Sequence, residues 1–164
     1  MGKRKESERM NAKRIVIAGV VVWIVSSIFF YLTCGWLFKW VYKLPPNIWR
    51  DWATMPATAL NLIGPHVIGI IRALLFALVF AIIYKGIPGK VVTKGMIYGV
   101  IVWIVGALSG MASLPFFMTI ATTVVIYWII GALVLSVING VVVGVIYKEQ
   151  KKSSWLSRWL KRIG

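Results

Sequence analysis

Residues 64–86 read GPHVIGIIRALLFALVFAIIYKG, an apolar run broken by one cation, Arg72. About 20 consecutive apolar residues suffice for a helix to cross the hydrocarbon of a bilayer. This run therefore decides the fold class, because only a membrane accommodates it as an ordinary helix. Twelve residues separate Arg72 from Tyr84, about 18 Å at a rise of 1.5 Å per residue. The guanidinium thus lies near the middle of the span, where ionised groups are expensive.

Working outward, three further runs qualify as spans. The expected set is 15–38, 60–84, 95–114 and 117–147, with a loop at 39–59 and a tight turn at Pro115. The fourth run is long enough to tilt or to project beyond the core. The fold expected is an all-α membrane protein of one domain. A basic arm at 1–14 precedes the four-helix region of 15–147, and a basic tail at 148–164 follows it. Composition agrees: 60% of the 164 residues are hydrophobic and only 14% are charged, against roughly a quarter in soluble domains. Mean hydropathy is +0.85.

A net charge of +15 would suit a partner rich in phosphate, but the placement of the charges excludes nucleic acid. Fifteen Lys and Arg residues fall before the first run, between the second and third, or after the fourth. Only Lys39, Lys43 and Arg50 lie in the long loop. That asymmetry orients an even number of spans with both termini in the cytoplasm, in a cell's inner membrane, and anionic inner-leaflet lipids add to the attraction. Cys34 is the one cysteine, so neither an intrachain disulfide nor a cysteine-based metal cluster is expected. The apolar stretch before it is too long, and Tyr31 and Thr33 too large, for a signal-peptide cleavage site.

The two halves of the chain look related. RIVIAGVVVWIV, from Arg14, aligns with KGMIYGVIVWIV, from Lys94, at an offset of 80 that matches Gly19 to Gly99 and Trp23 to Trp103. At an offset of 63, Gly69, Ala73, Ala77 and Ala81 fall on Ala132, Ser136, Gly140 and Gly144. Small residues four apart let helices approach closely in lipid, so these stripes are the expected packing surfaces. The expectation is two pseudo-repeated hairpins in which the second and fourth helices meet along the stripes, with the first and third outside.

In the loop, Trp40, Tyr42, Trp49 and Trp52 are expected at headgroup level, the usual station of interfacial aromatics. In the tail, Trp155, Leu156, Trp159, Leu160 and Ile163 share a helical face, with Arg158, Lys161 and Arg162 around the rest. That pattern is an amphipathic helix lying on the membrane surface.

A basic start, CGWLF closing the first helix, KGMIYG opening the third and NGVVVGVIYK closing the fourth give the chain a family likeness. Together with the aromatic loop, they resemble a broad group of small four-helix prokaryotic membrane proteins of unknown function. The resemblance runs over residues 14 to 148 and implies the four-helix fold, with no activity to lend. Members carry a polar His-Gly where Cys34–Gly35 stands here, and that departure removes a candidate polar site.

No acid lies in any span: Glu6, Glu8 and Glu149 belong to the cytoplasmic side and Asp51 to the loop. Arg72 can therefore snorkel to a lipid phosphate, pair with Asp51, meet a carboxylate of another subunit, or hold a soluble anion. Its place beside the small-residue stripe, one residue before Ala73, favours protein or a cavity over open lipid. His66, next to Pro65, has no second His for a haem and no set of three or four ligands for zinc, so no cofactor or metal is expected. Asn139 is read as a bond across helices, and Trp23 and Trp103 as packing residues. No nucleophile–base pair, phosphate loop or carboxylate pair is present, so no enzyme is expected. What remains is a protein that acts by association with lipids, other membrane subunits or itself. The alternative is a small anion carrier or channel built around Arg72.

Overall fold

The computed structural model describes residues 12–46, 49, 56 and 58–147. They form four helices long and apolar enough to cross a membrane: span 1 (Ala12–Leu37), span 2 (Leu60–Ile83), span 3 (Val91–Phe117) and span 4 (Thr122–Tyr147). No strand occurs among the described residues. In hydrocarbon every backbone N–H and C=O must be satisfied within the chain, and a helix does so without a neighbour. Asp51 and the tail from residue 148, with Trp155, Arg158, Trp159, Lys161 and Arg162, lie outside the described residues.

Successive spans run in opposite directions, so the molecule has two ends. At the basic end, Lys94 at the start of span 3 donates from Nζ to the Tyr84 carbonyl at 2.9 Å. The same ammonium stands 4.4 Å from the centre of the Tyr84 ring. A cation is well placed there, against the free carbonyls that close span 2. Gly89 makes the turn with φ 101°, a conformation other residues rarely adopt. At the loop end, Thr58 opens span 2 by accepting the Asn61 N–H on its side-chain oxygen at 3.3 Å, the usual role of a threonine N-cap.

Two spans depart from regular α-helix. Span 1 changes at Tyr31–Leu37 to π geometry, and span 3 does so at Trp103–Leu108. Such segments are rare and favour functional positions. Span 4 begins at Thr122, five residues after the expected Phe117. Leu114–Phe117, with Pro115 in its first turn, is instead the last turn of span 3. Phe116, Phe117 and Met118 are apolar, so hydropathy continues through a break that the backbone makes.

The stripes do not bring spans 2 and 4 together, as the pattern suggested; each works inside its own hairpin. A side chain added at Gly95 or Gly140 would strike the other's backbone carbonyl, and one at Gly99 would strike that of Ser136. Gly144 lies against Val91 and Gly95. Spans 3 and 4 therefore meet backbone to backbone, since glycine faces glycine. In the other hairpin Gly19 faces Leu74, and Gly69 faces the Trp23 indole, while Ala73, Ala77 and Ala81 are buried. A stripe marks the face that packs but leaves its partner open. Here the glycines of spans 1 and 3 settle the choice, while Phe80 and Tyr84 meet Tyr147 ring to ring between spans 2 and 4.

The offsets seen in the sequence reappear in the contacts. Gly19 against Leu74 becomes, 80 and 63 residues on, Gly99 against Val137. Trp23 meets the His66 ring edge-on at 6.1 Å, and the counterpart Trp103 donates from its indole to the Ile129 carbonyl at 2.9 Å. Spans 1 and 4 then pack directly, whereas spans 2 and 3 hardly approach by backbone at all.

Candidate functional site

The seams between hairpins decide what the molecule can offer a partner. Along spans 1 and 4 the seam is closed. Ala18 and Val143 are both 0% exposed. Farther along, Asn139 donates from Nδ2 to the Ser26 hydroxyl at 2.9 Å. Its Oδ1 is buried without a partner among the described residues.

At the loop end this seam carries a cluster that sequence reasoning missed. The Tyr42 hydroxyl donates to Cys34 Sγ at 3.1 Å and accepts from the Trp128 indole at 2.9 Å. The Tyr127 hydroxyl lies 3.7 Å from the same sulfur. Trp49 packs edge-on against both Tyr42, at 5.0 Å, and Trp128, at 5.4 Å. Cys34 is thus the centre of a polar cluster, not the loss of one. Tyr42 and Trp49 pack onto Tyr127 and Trp128 of span 4, while Trp40 is exposed. The π segment places Cys34 among these groups, but they come from positions near 34, 42, 49 and 127, with no local motif to join them.

Along spans 2 and 3 the seam is filled only in its basic half. Tyr98, from span 3, is 1% exposed and donates its hydroxyl to the Phe76 carbonyl at 2.7 Å. Its ring lies 4.7 Å from that of Phe76 and 5.1 Å from that of Phe80. Three rings therefore hold the two backbones apart. The aligned positions in the closed seam are Ala18 for Tyr98, Asn139 for Phe76 and Val143 for Phe80, smaller in every case.

Arg72 lies one turn from Phe76 toward the loop end, on the same helical face. It is exposed and has no hydrogen bond or ion pair with any described residue. Its counterpart at the offset of 63 is Leu135, only 4% exposed. On the facing helix, Val102 is half-buried where its counterpart Val22 is 2% exposed. Among the described residues the seam is open from Arg72 to the loop end, and the cation marks its floor. Placement beside the stripe suggested protein or a cavity around Arg72; among the described residues it is exposed, at the floor of this opening.

His66 is exposed apart from its edge contact with Trp23. It stands almost two turns from Arg72 toward the loop end, on a different face. The structure does not bring the two together. Among the described residues no three His, Cys, Asp or Glu side chains gather as a metal would require. No family model, curated protein or solved structure matches the chain.

Proposed function

We propose that the chain is a non-catalytic integral membrane protein that works by association, as an accessory, assembly or lipid-organising subunit of a larger membrane complex. The observation that supports this reading is Arg72: a cation midway along a span, exposed and unpartnered among the described residues. Placing a charge at that depth costs about 2.5 kcal/mol or more, depending on how far it can snorkel. Since no acid lies in any span here, a carboxylate that offsets that cost comes from outside the spans, either from Asp51 of the loop or, on this reading, from another subunit. The basic end then faces the cytoplasm, where the positive-inside rule puts the excess of Lys and Arg. The amphipathic pattern of residues 148–164 supports an anchor at the inner leaflet. The contacts recurring at offsets of 80 and 63 support an architecture of two repeated hairpins, in keeping with the group of four-helix membrane proteins that the motifs resemble.

The rival reading is a small anion carrier or channel, and one observation favours it. A seam open at the loop end and plugged by Tyr98 at the basic end has the form of one-sided access to Arg72. Against it, the described residues around Arg72 on span 2 are Ile68, Ile71 and Leu75, all apolar and exposed. A soluble ion shedding water needs polar groups to replace its hydration.

The test is gentle extraction of the tagged chain from its native membrane, followed by mass measurement of the intact particle. Stoichiometric foreign subunits are expected. A homo-oligomer carrying only lipid would overturn membership of a larger complex of different subunits and bring anion flux forward.

A further inference from the structure

Resting on the association reading, we infer where the partner sits and what it must carry. The geometry points to a transmembrane helix of a different protein, bearing one Asp or Glu at the depth of Arg72. Its seat is the loop-end half of the seam between spans 2 and 3.

The pseudo-repeat supplies the argument. In the seam between spans 1 and 4, the positions aligned with Val102 and Arg72 are Val22 and Leu135, both buried. On spans 2 and 3, among the described residues, Val102 is only half-buried and Arg72 is exposed. Tyr98, Phe76 and Phe80 set the separation of the helices from below, so the opening is built into the packing. Gly106, on the π segment of span 3, has nothing within 4 Å of the position a side chain would take, leaving room for a backbone to come close.

Charge then selects the occupant. Ile68, one turn from Arg72 toward the loop end, is 65% exposed, and the neighbouring surface is apolar. An apolar helix with a single acid satisfies both features, because a charge pair out of water needs its partner within hydrogen-bonding reach. A second copy of this chain brings no acid to that depth. A lipid phosphate is also a poor match: Arg72 is the fourteenth of the 25 residues of Ala59–Ile83, about 18 Å along the axis from either end.

The experiment places a photoreactive amino acid at Ile68 in the full-length chain, in cells. Controls carry it at Ile24 of span 1 or Ile130 of span 4, exposed positions away from this seam. After illumination of native membranes, adducts are mapped by peptide. The expected result is an adduct from Ile68 to one transmembrane segment containing Asp or Glu. Its yield should fall by about tenfold or more in Arg72→Leu, the scale of a lost charge pair, and persist in Arg72→Lys. Arg72→Asp should abolish it, and replacing the partner's acid with Arg should restore it. Foreign adducts from Ile24 or Ile130 alone would overturn the seam assignment while leaving association standing. So would an Ile68 adduct indifferent to Arg72, or one on a segment without an acid. Absence of foreign protein adducts from every position, with a particle mass showing only this chain and lipid, would overturn both.

Discussion

The seam between spans 1 and 4 and the seam between spans 2 and 3 occupy equivalent places between the two hairpins, yet they are built to opposite ends. The first uses Ala18 and Val143, both fully buried, then a hydrogen bond between Ser26 and Asn139, then the cluster around Cys34 and Tyr42. The second substitutes rings for small side chains and ends its packing at Phe76. Within lipid no hydrophobic force draws two helices together, so closeness follows from side-chain volume. Three large residues in one seam are enough to turn a closed contact into an opening with a cation at its floor. Two hairpins of related sequence can in this way present seams of different character.

The largest expected effect comes from removing the wedge. Tyr98→Ala should lower stability by about 3 kcal/mol, since a buried aromatic ring is lost and the site collapses incompletely. SDS titration of the purified chain in mixed micelles measures this. A loss near zero would mean that spans 2 and 3 close freely, and the contrast between the seams would fail. The reciprocal change, Ala18→Phe, should destabilise by about 2 kcal/mol through overpacking. Should it be tolerated, the seam between spans 1 and 4 is looser than its buried residues indicate.

A third prediction concerns the cap of the closed seam. Tyr42→Phe should cost about 1 kcal/mol, because it leaves the Trp128 indole and the Cys34 thiol without a shared hydroxyl. The Tyr42 phenol is held well above its ordinary value of 10.0, first by burial and then by its bond to Cys34. An unfolded chain therefore loses this proton as the pH passes about 10, while the folded chain keeps it. The tyrosine's contribution is complete below that pH and is lost as the pH rises beyond it. Thermal unfolding of wild type and Tyr42→Phe between pH 8 and about 11 should give curves that converge at the alkaline end. Parallel curves would remove Tyr42 as the source of the difference.

Much of the architecture was legible from the sequence because membrane spans are set by apolar length, a local property. The offset of 80 was legible too, and the contacts at Gly19 and Gly99 follow it. What escaped was non-local. The stripe from Ala132 to Gly144 identifies a packing face, but only the glycines of span 3 show which helix takes it. The same alignment that paired Gly19 with Gly99 also sets Ala18 against Tyr98. That mismatch was the available signal that one seam is wedged open; matched residues draw the eye, and unmatched ones carry the asymmetry. The thiol cluster had no such signal. Its members meet only after a π segment, a loop and the start of span 4 come together.

The smallest effects test the middle of the closed seam, where two ends of one hydrogen bond should respond differently. Asn139 gives Nδ2 to Ser26, while its Oδ1 is already buried and unpaired among the described residues. Ser26→Ala removes the one partner and leaves the whole amide unsatisfied, with an expected loss of about 1 kcal/mol. Asn139→Leu also breaks the bond, worth about 0.6 kcal/mol between membrane helices, but it removes the orphaned carbonyl as well. Those terms nearly cancel, so the expected change is within about 0.5 kcal/mol of zero. SDS titration of both variants decides the matter by their difference. If Asn139→Leu proves the more damaging of the two, its carbonyl has a partner in the membrane after all, and the closed seam holds a polar site of its own.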